Sequence, residues 1–206
     1  MESKRSKKIK IFKIMDHGVN KEDRVIPDYD DLEWLVGVFK ADDLRVGYTS
    51  GVYDMFHVGH AKYLERAKEL CDVLILAVDS DELVKLDKGP KRPIVSLEER
   101  IDILVRNRSV NIITIRNAGD DPFMLIKKIK PNLVVFSEST QDRRPTFIDD
   151  MKEAYKGDVD EIIVLPPQAE TSTTATIRTL TLNASKELGE KIVNLIEGHF
   201  KEGGAS

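Results

Sequence analysis

From residue 44 onward, short runs of β-branched and apolar residues alternate with longer segments whose apolar positions recur at helical spacing. This is the pattern of βα units building a parallel sheet. The runs cover residues 44–50, 73–79, 111–115, 133–136 and 161–165 and predict five strands. The helical segments cover 58–70, 97–105, 122–129 and 145–155, with Ser96 as an N-cap and Glu99 completing a capping box. Right-handed crossovers then place helices on both faces, so the expected fold class is α/β, a doubly wound five-stranded parallel sheet.

Before the first strand, residues 29–39 carry Leu32, Trp34, Leu35, Val36, Val38 and Phe39, an apolar-rich stretch that predicts a helix covering the sheet. After the last strand, Leu188, Ile192, Leu195, Ile196 and Phe200 predict a terminal amphipathic helix. Lys186, Lys191 and Lys201 are offset by Glu187, Glu190 and Glu197, which favours a core or homodimer face over a membrane surface. The expected organisation is an N-terminal extension over 1–43, a main domain over 44–180, and a C-terminal helix and tail over 181–206.

Composition narrows the function classes. The 206 residues carry 32 Lys+Arg against 36 Asp+Glu, a net charge of -4, with 6% aromatics. That balance argues against a nucleic-acid-binding surface, so an anionic ligand should be small and locally bound. The basic opening MESKRSKKIKIFK lacks the apolar stretch of a signal peptide, and no apolar run approaches the ~20 residues of a membrane span. It reads as a solvated tail. The single cysteine, Cys71, has no disulfide partner within the chain and no Cys/His cluster has zinc spacing, which fits a reducing cytoplasm.

The chemistry concentrates in Thr49-Ser50-Gly51-Val52-Tyr53-Asp54-Met55-Phe56-His57-Val58-Gly59-His60, which follows the first strand and opens the first long helical segment. In a doubly wound sheet the carboxyl end of the first strand faces the ligand crevice, and N–H groups at the next helix start attract phosphate. Gly51 permits close backbone approach, and Gly59 keeps bulk away between the two imidazoles. His57 and His60 can point the same way and donate hydrogen bonds to phosphate oxygens as charge develops there. No G-x-G-x-x-G follows the first strand, which argues against a dinucleotide-dependent oxidoreductase.

GVYDMFHVGHAKYLERAK resembles the signature of the cytidylyltransferase-like nucleotidyltransferase superfamily. The match continues through Ala77 to Asp81, Lys88-Gly89-Pro90-Lys91-Arg92-Pro93, Glu98-Glu99-Arg100 and Thr171-Ser172-Thr173-Thr174. Within it, KGPKRP followed by SLEER is most similar to heptose-phosphate adenylyltransferase domains. The first motif also resembles cytidylyltransferases acting on glycerol 3-phosphate and on choline or ethanolamine phosphate.

The resemblance implies a Rossmann-like fold and a set of roles. His57, His60, Lys88 and Arg100 would be catalytic: the histidines on the triphosphate, Lys88 neutralising reacting phosphates from a loop after the second strand, and Arg100 closing the phosphate site. Ser50, Gly51, Val52, Tyr53, Gly59, Arg108, Ser172, Thr173 and Thr174 would bind nucleotide, with Arg178 following. Asp54 would face the acceptor or fix the turn, and Lys85 would assist at the acceptor. Mg2+ would accompany the nucleoside triphosphate, and no metal ligand is assigned. Two segments depart from the pattern: Ser137-Glu138-Ser139-Thr140 stands where heptose enzymes carry a Lys-Gly-Gly-Asp-like turn, and Pro167 and Glu170 precede the last motif. The implied activity is transfer of a nucleoside monophosphate, AMP from ATP, to a small phosphorylated acceptor such as a sugar phosphate, releasing pyrophosphate. The alternatives are a CTP-dependent enzyme and a nucleotide-binding module without catalysis. A homodimer is the implied assembly.

Overall fold

A computed structural model describes residues 11, 14–16, 20–121, 123–138, 146–168, 180–183 and 185–192. The chain divides after Glu170 into two compact units. In the first, α1 (Lys21–Arg24) and α2 (Tyr29–Ala41) precede β1 (Val46–Gly51), α3 (Val58–Lys68), β2 (Val73–Asp79), α4 (Asp81–Lys88), α5 (Leu97–Leu104), β3 (Ile112–Arg116), α6 (Met124–Ile129), β4 (Leu133–Ser137), α7 (Phe147–Ala154) and β5 (Glu161–Leu165). The five strands are parallel and run in the order β3-β2-β1-β4-β5. The sheet therefore grows outward from β1 to β3, then restarts on the other side of β1. Its switch point lies between β1 and β4, where a doubly wound fold opens its crevice.

Strand alternation splits the core between the two faces. Val46, Tyr48, Val73, Ile75, Ala77 and Ile112 pack with Leu32, Leu35, Val36 and Phe39 of α2, with α6, and with Met151 and Tyr155. Leu74, Leu76, Val78 and Ile113 pack with Tyr63, Leu64 and Ala67 of α3 and with Ile101 and Leu104 of α5. Because both faces are covered, all seven residues of β2 are buried, which explains its unbroken apolar run.

The N-terminal extension is part of this core. Ile14 and Ile26 belong to the first cluster, and Val25 bridges Ile113 in parallel, giving the outer edge of β3 a partner. The buried Arg24 donates to the carbonyls of Val105, Asn107, Val110 and Asn111, so it satisfies the chain leaving α5. Ser96 caps α5 as expected, its Oγ accepting from Glu99 N–H at 3.4 Å, whereas the Glu99 carboxylate takes the Ser96 hydroxyl at 3.3 Å in place of the backbone N–H of a full capping box.

One element differs from expectation. The segment carrying Lys85 and Lys88, read as a loop, is the helix α4, started by Ser80, whose Oγ accepts from Leu83 N–H, and stopped at Gly89 with φ +91. In the second unit, residues 180–183 and 185–192 are helical. Leu188 and Ile192 are 60% and 48% exposed, whereas Leu195, Ile196 and Phe200 lie outside the described residues. No helix among the described residues is long and apolar enough to cross a membrane.

Candidate active site

The turn from β1 into α3 carries the site. Tyr53 and Met55 both have positive φ, +54 and +51, an uncommon backbone for side chains of this size and a form of strain that clusters at ligand sites. His57 then caps α3, its Nδ1 accepting from Gly59 N–H at 3.1 Å. With Nδ1 used as an acceptor, neutral His57 carries its proton on Nε2.

His60 stacks on His57 with ring centroids 3.9 Å apart and planes 25° apart, and Tyr53 and Phe56 flank it at 5.2 and 5.6 Å. Burial lowers the pKa of both imidazoles. For His60 the value is pushed down to about 4, with His57 and Lys88 adding to burial and Asp54 opposing it. Both rings are therefore neutral near pH 7 and act as hydrogen-bond donors. Nδ1 of His60 is buried and makes no hydrogen bond.

Asp54 is held by the 92–95 segment. Its carboxylate accepts from the N–H groups of Ile94 and Val95 at 3.0 and 2.9 Å and pairs with Arg92 Nη2 at 2.9 Å. Its side chain is 1% exposed, and these contacts fit the second of the two roles anticipated for it, fixing the turn. It ties the residues after Lys88-Gly89-Pro90-Lys91 to the turn bearing the histidines. Arg92, which the motif contained but the sequence reading gave no role, completes this clamp.

Arg100 also differs from its anticipated place. Its side chain is fully buried; Nε donates to Val95 O, Nη1 to Val52 O, and Nη2 to Asp79 O and to Asp81 Oδ1 at 2.7 Å. The guanidinium thus joins the β1–α3 turn, the end of β2, the start of α4 and the 92–95 loop. These bonds occupy the guanidinium that was expected to close the phosphate site.

Lys88 is exposed at the last position of α4, near enough for its charge to depress His60, and Lys85 is exposed one turn earlier. Ser50, Gly51, Val52, Tyr53 and Gly59 lie together at the strand end and helix start. A Cβ on Gly51 would stand 3.1 Å from Cε2 of Tyr53, so a larger residue there would push on the Tyr53 ring. Arg108 does not join them. It is exposed in the turn before Asn111, whose side chain accepts from Leu74 N–H at the amino end of β2, on the opposite edge of the sheet. Ser172, Thr173, Thr174, Arg178, Ser139 and Thr140 lie outside the described residues, while Ser137 and Glu138 stand at the carboxyl end of β4.

A further support had no sequence signal. The Tyr63 hydroxyl lies 2.8 Å from Thr49 Oγ1 and donates to Val135 O at 3.0 Å, pinning α3 across β1 and β4 at the switch point. Among the described residues no group of three or more His, Cys, Asp or Glu could hold a metal ion. The nearby carboxylates of Asp54 and Asp79 are committed to Arg92 and Arg116.

Comparison with known proteins shows the family and the fold. A cytidylyltransferase-like family model matches residues 48–179. The Bifunctional protein HldE of Sulfurimonas denitrificans is 38% identical over 113 residues, 55% of this chain and 24% of that protein. Its namesake from Rhodopseudomonas palustris is 33% identical over 161 residues, 78% of this chain and 32% of that protein. The chain thus spans about a quarter to a third of the length of these curated relatives. Among solved structures, the lipopolysaccharide core biosynthesis protein from Thermoplasma volcanium aligns with TM-score 0.51 at 20% identity, covering 63% of this chain and 99% of that one. The pantoate-beta-alanine ligase from Francisella tularensis aligns with TM-score 0.52 at 15% identity, covering 71% and 68%. These two carry the fold alone. The matched span contains the strained turn, the stacked histidines and both clamps, and the chain belongs to the cytidylyltransferase-like family, with a nucleotidyltransferase domain over residues 48–179.

Proposed function

We propose that this domain transfers the nucleoside monophosphate of a nucleoside triphosphate to a small phosphorylated acceptor. The observation that carries this reading is the stacked, neutral His57–His60 pair at the start of α3, beside the switch point. The acceptor's phosphate oxygen is already anionic, so no general base is required. That oxygen forms a bond to the α-phosphorus, the bond to the β-phosphate oxygen breaks, and pyrophosphate leaves with its electron pair. Nε2–H of His57 and an N–H of His60 donate to oxygens on which charge accumulates. Lys88 neutralises the phosphates, the start of α3 adds backbone N–H groups, and Asp54 and Arg100 keep these parts in register. Magnesium would come with the triphosphate and neutralise its charge, and no step rests on a metal held by the protein.

ATP and a sugar phosphate are favoured, as the sequence resembles heptose-phosphate adenylyltransferases and the relatives reported above are named HldE. The family description keeps CTP with glycerol, choline or ethanolamine phosphate as a second reading. A reducing cytoplasm and a homodimer belong to the same proposal on sequence grounds alone.

The test is the melting temperature with ATP, CTP, GTP or UTP, each with and without Mg2+. A nucleotide at about 100 times its Kd adds roughly 2.7 kcal/mol, several degrees for a chain of this size. Selective stabilisation by ATP supports AMP transfer, and selectivity for CTP supports the second reading. No shift with any nucleotide sinks both. A shift without pyrophosphate release across a broad acceptor panel would favour a binding module.

A further inference from the structure

A second polar cluster stands at the carboxyl ends of β2 and β3, on the face covered by α2 and α6. Asp79 and Arg116, the last residues of these strands, are register partners. Nε and Nη2 of Arg116 both reach Oδ1 of Asp79, at 2.8 and 2.7 Å. The side chains are largely buried, Asp79 8% and Arg116 21% exposed. Three phenols converge on them. The Tyr29 hydroxyl lies 2.6 Å from Ile115 O and 2.8 Å from Asp120 Oδ2. Tyr48 is on β1, its hydroxyl hydrogen-bonded with Ser50, and Tyr155 packs edge-on against Phe123 at 5.6 Å. The charge of Arg116 acts on all three, and burial, which opposes that charge, is outweighed by Asp79 and Tyr48, so the guanidinium remains a cation.

Stability gives little reason for this pair, since a buried ion pair is often no better than packed apolar residues of the same volume. Position gives a reason. Ligands of doubly wound sheets bind outside the carboxyl ends of the strands. Because β1, β2 and β3 are adjacent and parallel, the carboxyl ends of β2 and β3 lie at the same end of the sheet as the turn bearing His57 and His60. A carboxylate beside a guanidinium offers acceptor and donor side by side, which matches neighbouring hydroxyls that each donate and accept. A cationic head group would meet Arg116, because the Asp79 charge is already matched. The neighbouring Asp120 accepts from Asn117 N–H and Tyr29, and Asp121 from Phe123 N–H.

We propose that Asp79 and Arg116 are the specificity-determining pair of the acceptor subsite and select a polyhydroxylated acceptor, a sugar or polyol phosphate, over amino-alcohol phosphates. The proposal rests on the nucleotidyltransferase reading above. Its test compares the full chain with the double variant Asp79→Asn/Arg116→Gln, which replaces the ion pair by an amide pair of similar shape. Pyrophosphate release is followed with mannose 1-phosphate, glucose 1-phosphate, glycerol 3-phosphate, phosphocholine and phosphoethanolamine, and nucleotide binding is followed separately by melting-temperature shift. The expected result is turnover with the sugar or polyol phosphates, an acceptor KM at least tenfold higher in the double variant, and an unaltered nucleotide-induced shift. If the double variant does not fold, Arg116→Lys, which keeps the charge but loses the planar fork, should raise the acceptor KM in the same direction. An acceptor KM within twofold of the parent, preference for the amino-alcohol phosphates, or no use of any sugar or polyol phosphate while nucleotide still binds would each overturn the proposal. Failure of the parent protein to bind any nucleotide would instead overturn the nucleotidyltransferase reading itself.

Discussion

His57 and His60 stack with their ring centroids 3.9 Å apart, and His57 Nδ1 is held by Gly59 N–H. The pair is therefore a preorganised set of neutral donors, and protonating one ring is opposed by the other. Replacing either histidine with asparagine should lower kcat by about 10²-fold, as for loss of a transition-state donor. Turnover close to that of the parent would remove the catalytic role.

The same pair sets a pH dependence. His60 titrates at about 4 when folded, against 6.5 ordinarily. Between those values the unfolded chain binds a proton there that the folded protein does not, so this contribution to stability is present above 6.5 and is lost as pH falls toward 4. The melting temperature of the parent should fall more steeply over this window than that of His60→Asn, by up to one proton per molecule. Equal slopes would show that His60 is not held neutral.

Asp54 is buried with three partners in the 92–95 segment. Asp54→Ala leaves two N–H groups and Arg92 unpaired and should cost about 3 kcal/mol in denaturant unfolding. Asp54→Asn, which still accepts one hydrogen bond, should lose less. A change in acceptor KM without loss of stability would restore a direct ligand role.

Arg100 serves four acceptors on four segments, which a single ammonium group does not reach together. Arg100→Lys should therefore destabilise nearly as much as Arg100→Ala, by about 3 kcal/mol. If Lys preserves both stability and nucleotide affinity, the role of the guanidinium fork is wrong.

Two glycines should respond with opposite signs. Gly51→Ala places a methyl 3.1 Å from the Tyr53 ring, whose own φ of +54 leaves little freedom, and should cost about 1–3 kcal/mol while disturbing His60. Gly37→Ala, on α2 with nothing within 4 Å, should gain about 0.5–1 kcal/mol from helix propensity. Chemical denaturation of both variants checks the pair.

Much of the fold was legible because its signals are local. Covered on both faces, β2 needs an unbroken apolar run, and its predicted bounds coincide with the observed strand. Ser96 and Glu99 announce a helix start through bonds only three residues apart. Helix α4 was hidden because its Lys85, Leu86 and Lys88 are exposed, Leu83 is half-buried and only Val84 is buried, so the apolar stripe that marks it is short. Sequence placed His57 and His60 beside the crevice by motif and by their place after the first strand, and it offered roles for Asp54 and Arg100 without the partners that hold them.

The chain by itself determined the alternation of strands and helices, the charge balance and the position of the histidine turn, since periodicity and spacing act over a few residues. Tertiary structure alone decided which charges remain available. Arg100 is consumed by carbonyls from Val52, Asp79 and Val95, Asp54 is turned onto a loop some forty residues away, Arg108 is left on the far edge, and Asp79 meets Arg116 because β2 and β3 are neighbours. A charge's role depends on what the fold brings within hydrogen-bond distance, and partners that far apart along the chain leave no periodic trace in it.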